Sequence, residues 1–155
     1  MKFGLSMFPT DFSIGATDLA RAAEDNGFES LWFPEHTHIP AERKTPWPGG
    51  MDLPLAYSHS LDPFVALGAA ATATTTLKLG TGVCLVIEHD PITLAKSVAT
   101  LDHLSGGRVS LGVGFGWNTD ELADHGVPPA RLGQDRGVHP GDHREAEAAG
   151  DDRRV

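Results

Sequence analysis

Residues 77–113, LKLGTGVCLVIEHDPITLAKSVATLDHLSGGRVSLGV, decide the fold class. Leu77 to Val86 is an apolar run broken by Gly80 and Gly82, which reads as a strand. Asp90-Pro91 then marks a helix start: the carboxylate can accept the free N–H groups of the first turn, and proline occupies a position where its missing donor costs nothing. Leu94, Val98, Leu101 and Leu104 form one helical stripe, Gly106-Gly107 stops it, and Arg108 to Val113 reads as a second strand. Strand, helix and strand in so short a span imply a parallel pairing, because a helical crossover returns the chain in the same direction.

The unit recurs upstream. Phe3, Leu5 and Met7 alternate with Gly4, Ser6 and Phe8, the period of a strand. Residues 16–26 switch to helical content and meet Gly27, a C-cap residue; Ser30 to Phe33 is the next strand. Asp62-Pro63 opens the helical run from Phe64 to Thr74. Four strands, near residues 3, 30, 78 and 109, therefore alternate with helices, which implies a parallel sheet covered by helices. A GxGxxG turn does not follow the first strand, so the open dinucleotide-binding sheet is disfavoured. The expected class is α/β, a (β/α)8 TIM-barrel type truncated to about four βα units, because a whole barrel takes about 250 residues and this chain has 155.

Two regions are expected: 1–131 as the N-terminal half of a barrel domain, and 132–155 as a tail of different character. From Arg131 to Val155, 11 of 25 residues are charged and no helical or strand period survives. One codon set for Leu132 to Asp142, read after loss of its first base, gives Trp-Asp-Arg-Ile-Ala-Glu-Tyr-Ile-Arg-Ala, with apolar residues at helical spacing. The tail is thus expected to be either frameshifted or an acidic disordered segment.

A net charge of -9 with 12 Lys+Arg argues against a nucleic-acid partner, which would be held largely through basic patches. No run approaches the roughly 20 apolar residues needed to cross a bilayer. The single Cys84, inside an apolar run, reads as a buried thiol in a reducing compartment. These features point to a cytoplasmic protein acting on a small-molecule substrate, with self-association left open.

Chemistry in a barrel collects at the C-terminal ends of the strands. Glu35-His36 follows the second strand, and a histidine beside a carboxylate can serve as general acid or base. Glu35, His36 and His38 could alternatively hold a metal that activates water, the reading of a barrel-type metal-dependent hydrolase. Gly80-Thr81-Gly82-Val83 suggests a bulge, the close approach of a flat ligand, or simple close packing. Gly112, Gly114 and Gly116 permit similar approach, and Trp117 can stack on a ring or fill a core.

Four segments in order carry a resemblance: Ser30-Leu31-Trp32-Phe33-Pro34-Glu35-His36-Thr37-His38-Ile39-Pro40; Leu79-Gly80-Thr81-Gly82-Val83; His89-Asp90-Pro91 with Ala95-Lys96; and Leu101-Asp102 through Gly106-Gly107-Arg108 to Gly116-Trp117-Asn118. Over about residues 1–131 the chain resembles the luciferase-like monooxygenase family, especially its oxidoreductases that use coenzyme F420. The resemblance implies a flavin- or deazaflavin-dependent oxidoreductase, with F420 as coenzyme and FMN as the alternative. It further implies that Glu35 and His36 face the redox-active edge of the ring and that His36 acts on the substrate proton during hydride transfer. Phe8, Thr81, Gly82, Val83, Gly114, Gly116 and Trp117 would contact the ring, with Gly82-Val83 at a bulge that is often a non-prolyl cis peptide. No resident metal is implied. Related sugar-phosphate dehydrogenases carry an acid at the position of Trp117, which disfavours that substrate class. The third alternative is an inactive fragment or interaction partner.

Overall fold

The computed structural model describes residues 1–128; the tail from 132 and its shifted reading frame lie outside the described residues. Four parallel strands, β1 (Gly4–Ser6), β2 (Ser30–Phe33), β3 (Lys78–Leu85) and β4 (Val109–Gly114), lie side by side in chain order. They are connected through α1 (Ala16–Asp25), α2 (Pro63–Ala73) and α3 (Pro91–Ser105). Short right-handed crossovers place consecutive strands next to one another, which is the order seen. A fourth helix, α4 (Thr119–Asp124), follows β4 and is not anticipated by periodicity.

The helix starts behave as their sequences require. Asp62 accepts from Val65 N–H and Asp90 from Thr93 N–H, each at 2.8 Å, and Pro63 and Pro91 begin the two helices. Gly106 ends α3 at φ 71°, in the left-handed region open to a residue without Cβ. The first strand is shorter than its alternating pattern, spanning three residues.

One core lies between sheet and helices. Leu31, Phe33 and Leu79 meet Leu19, Ala20 and Ala23 of α1 and Ala66, Leu67, Ala70 and Ala71 of α2. Alanines on α2 let the helix approach the sheet closely, and each buried Leu or Phe contributes about 1.5–3 kcal/mol. The expected stripe on α3 is only partly covered: Leu101 is buried, Leu94 and Val98 are half-buried, and Leu104 is exposed. Among the described residues α3 is flanked by α2 on one side only, so the far side of its stripe has no neighbour. No described helix is long and apolar enough to cross a membrane.

The other face of the sheet is organised around Trp32. Its indole lies across neighbouring strands, paired in register with Ser6 on β1 and Gly80 on β3, and a Cβ on Gly80 would collide with the ring. Close packing thus accounts for Gly80, through a strand side chain rather than a helix. Gly112 on β4 serves the bulge, where a Cβ would meet the carbonyl of Thr81.

Candidate functional site

The C-terminal ends of the strands converge, and His36, just beyond β2, is the centre of what they assemble. A cavity of about 450 Å³ is lined by Phe8 after β1, Glu35 and His36 after β2, Gly82, Val83 and Leu85 of β3, Gly116 and Trp117 after β4, and Tyr57. That volume falls within the range of small-molecule sites. Aromatic rings form its wall: the centroid of His36 lies 5.1 Å from that of Tyr57, 5.7 Å from Trp117 and 6.3 Å from Phe8. The bulge between β3 and β4 falls between Thr81 and Cys84, and the Gly82–Val83 peptide bond within it is cis.

His36 is held by hydrogen bonds at both ring nitrogens. Nδ1 lies 2.7 Å from Glu121 Oε2, and the Trp117 indole N–H donates to Nε2 at 3.3 Å. A nitrogen that accepts cannot carry the proton, so the ring bears its proton on Nδ1 and donates it to Glu121. Nε2 retains a lone pair behind a long, replaceable hydrogen bond. A buried carboxylate on Nδ1 fixes the tautomer and orientation of a histidine base, the arrangement general acid–base chemistry needs.

Glu121 is 1% exposed, and its other oxygen accepts the backbone N–H groups of Thr37 at 2.8 Å and His38 at 3.4 Å. Glu88 is buried beside it and accepts from the Thr37 hydroxyl at 3.3 Å, while its Oε1 has no protein partner among the described residues. Burial first, then the nearby charges of Glu121 and Glu35, push the Glu88 carboxyl up to about 8. Its carboxyl is therefore largely neutral at pH 7.

The sequence-selected residues separate in the folded chain. His36, Phe8, Gly82, Val83, Gly116 and Trp117 line one cavity. Glu35 borders it too, but its carboxylate is committed elsewhere: it accepts from Leu85 N–H at 2.6 Å and pairs with His89 Nε2 at 2.9 Å. The structure thus gives Glu35 the job of fixing the end of β3. Thr81 is buried, with its hydroxyl donated to the Gly112 carbonyl at 2.9 Å, and Gly114 packs against Val83; neither lines the cavity.

The alternative metal set also separates. His36 turns to Glu121, whereas His38 Nε2 pairs with Asp124 at 2.9 Å. The side chains close enough to share an ion among the described residues are Glu35, Cys84 and His89. Burial, with the Glu35 carboxylate beside it, pushes the Cys84 thiol up to about 12, so it is an inert buried thiol.

Sequence reading missed Glu121, Glu88, Tyr57 and His125, and gave Asn118 no role beyond its place in the Gly116-Trp117-Asn118 segment. Asn118 and Glu121 do have the spacing of a helix-start signature, in which an acid stands three residues after a capping residue. Asn118 makes no side-chain cap, however, and its buried amide has no partner among the described residues. Tyr57 lies in an aperiodic connection, where no pattern marks it.

A family profile described as luciferase-like monooxygenase matches residues 14–136. An uncharacterised protein of Mycobacterium tuberculosis is 57% identical over 134 residues, covering 84% of this chain and 48% of that relative. The chain therefore spans about half the length of that relative. The 5,10-methylenetetrahydromethanopterin reductase of Methanopyrus kandleri is 32% identical over 116 residues, 75% of this chain and 27% of the enzyme. Its structure, described as coenzyme F420 dependent, superposes with a TM-score of 0.59 over 82% of this chain and 30% of that one. The monooxygenase RslO1 of Streptomyces bottropensis superposes with a TM-score of 0.67 at 30% identity, over 84% of this chain and 38% of that one. The oxygenating constituent of 3,6-diketocamphane monooxygenase from Pseudomonas putida, in complex with FMN, shares the fold at 22% identity and a TM-score of 0.65, over 84% of this chain and 34% of that one.

Proposed function

Because the chain belongs to the luciferase-like monooxygenase family, we propose that the concave face around His36 receives the ring of coenzyme F420 and supports hydride exchange with a small-molecule substrate. The observation that carries this reading is the pairing of His36 with buried Glu121 beside a cavity floored by Gly82 and Val83 and walled by Phe8, Tyr57 and Trp117. Flat apolar walls suit a tricyclic ring, and Gly82 and Gly116 leave backbone that a ring can approach. When bound, the coenzyme supplies the two-electron acceptor or donor for the reaction. His36 Nε2 takes up the substrate proton, Glu121 stabilises the ring as it becomes positively charged, and the aromatic wall excludes water. F420 is favoured over FMN by the 32% identity to an F420-dependent reductase, against fold-level likeness to the FMN complex.

Barrel coenzymes are commonly anchored by a phosphate site in the loops after strands seven and eight. The described residues supply four strands and the ring face, so affinity is expected to be weaker than in a longer relative. Titrating F420, and separately FMN, into the chain while following coenzyme fluorescence tests the reading. Saturable 1:1 quenching by F420 supports it, binding of FMN alone replaces the coenzyme, and binding of neither favours an inactive fragment or interaction partner. In a form that turns over substrate, His36→Asn is expected to keep coenzyme affinity while turnover falls about 100-fold or more.

A further inference from the structure

A base buried at the floor of a site needs somewhere to send the proton it collects. From His36 Nδ1, through groups that do not line the cavity, hydrogen bonds run without a break to the surface. Glu121 Oε2 meets His36 Nδ1 at 2.7 Å, and Glu121 Oε1 meets the Thr37 hydroxyl at 3.3 Å. The same hydroxyl lies 2.7 Å from His125 Nε2 and 3.1 Å from His38 Nδ1, and His38 Nε2 pairs with Asp124 at 2.9 Å. Exposure rises along this path. Side-chain exposure is 6% for His36 and 1% for Glu121, then 27% for His125, 40% for His38 and 60% for Asp124.

We infer that Glu121, the Thr37 hydroxyl and His125, none of which lines the cavity, form a proton path joining His36 to solvent, with His38 and Asp124 as a second exit. The inference rests on the reading of His36 as a proton-handling group. In the oxidising direction the substrate O–H proton goes to His36 Nε2, while the C–H electron pair leaves as hydride to the deazaflavin-type acceptor. The Nδ1 proton then passes to Glu121 Oε2. The Glu121 carboxyl turns to bring that proton to the Thr37 side, where it passes to the Thr37 oxygen as Thr37 gives its own to His125 Nε2, and His125 Nδ1 releases one to water. One proton reaches solvent and His36 is left with its proton on Nε2; in the reducing direction Nε2 returns that proton to the substrate, the chain runs backward to re-protonate Nδ1, and the starting bonds are restored. Glu88, buried and within 3.3 Å of the Thr37 hydroxyl, borders this path on its inner side, and its Oε2 lies 3.6 Å from His125 Nε2.

The direct test needs no coenzyme. In histidine-labelled protein, the exchange rate of the His36 Nδ1 proton with water reports this path, because that proton faces Glu121. Thr37→Val removes the hydroxyl at nearly constant volume and is expected to slow exchange at least tenfold. Thr37→Ser, which keeps a hydroxyl, is expected to stay within about twofold of the parent. His125→Phe provides a second variant, expected to slow exchange about threefold by closing one of two exits. Thermal melts show which variants remain folded. Exchange in Thr37→Val and His125→Phe equal to the parent would overturn the path, as would a Thr37→Ser rate as slow as that of Thr37→Val. A chain that fails to bind F420 but shows these rates keeps the path and loses the coenzyme reading; the reverse result separates them the other way.

Discussion

The two rims of the sheet are built from similar residue types and treat them in opposite ways. At the N-terminal rim two charged side chains, Arg108 and Glu24, are bound mainly to backbone. Arg108 donates five hydrogen bonds, to the carbonyls of Ser105, Leu77, Ala71 and Thr74 and to the Thr74 hydroxyl, at 2.6–3.2 Å. Glu24 accepts the N–H groups of Thr75, Thr76 and Leu77 together with the Thr76 hydroxyl. At the C-terminal rim, by contrast, lie Thr10 Oγ1, Glu88 Oε1 and both amide atoms of Asn118, the buried side-chain atoms without partners among the described residues. Buried polar groups ordinarily find partners, so the first rim reads as a fastening and the second as a place kept ready for other work.

The largest expected effect breaks the fastening. Arg108→Met withdraws donors from four carbonyls and should cost about 3 kcal/mol, seen as a melting temperature lower by roughly 10 °C. The cavity around His36 should be unchanged in the folded protein. Glu24→Gln should cost about 1–2 kcal/mol at pH 7, because an ionised acceptor of several N–H groups becomes a neutral one. Burial pushes the Glu24 carboxyl up, but hydrogen bonds from Thr76, Leu77 and Thr75 outweigh it and hold the group at about 2, below its ordinary 4.5. The parent's advantage is therefore full above about pH 4.5 and disappears as pH falls toward 2. Melts of both proteins across pH 2–7 check this.

Glu88 at the other rim should respond with opposite sign. Its carboxyl titrates at about 8 when folded and at an ordinary 4.5 when unfolded, so the parent loses stability as pH rises from 4.5 through 8. Glu88→Gln should be neutral near pH 4 and stabilising by about 1 kcal/mol above pH 8, after allowance for relaxation around the charge. Equal stabilisation at both pH values would mean that packing, and not ionisation, separates the two proteins.

How much of this was legible follows the same division. The elements were written locally: Asp62-Pro63 and Asp90-Pro91 begin helices and Gly106 ends one, because caps depend on neighbours three or four residues away. Strand order followed from short crossovers. The position of His36 among Phe8, Val83 and Trp117 was also readable, because ends of parallel strands converge wherever the chain repeats β and α. Its partner was not. Glu121 stands 85 residues from His36 on a helix of six residues, too short to give a period. Glu35 was readable as a site residue only by adjacency; a neighbour in a strand-end sequence points the other way, and its carboxylate found Leu85 and His89. The stripe on α3 was a correct helix signal whose burial depends on neighbours that periodicity does not supply.

The contrast between rims is tested most directly by mapping where F420 perturbs the chain, using 1H–15N spectra that include histidine and tryptophan side chains. In the free chain His36 should be the Nδ1–H tautomer. On titration its Nε2 resonance, the Trp117 indole N–H and the amides of Gly82, Val83 and Gly116 should shift together with one binding constant, while Thr75, Thr76, Leu77 and the Arg108 side chain stay in place. Shifts centred on the Glu24 and Arg108 rim, or saturable binding that leaves His36 and Trp117 unmoved, would contradict the assignment of the coenzyme to the C-terminal rim.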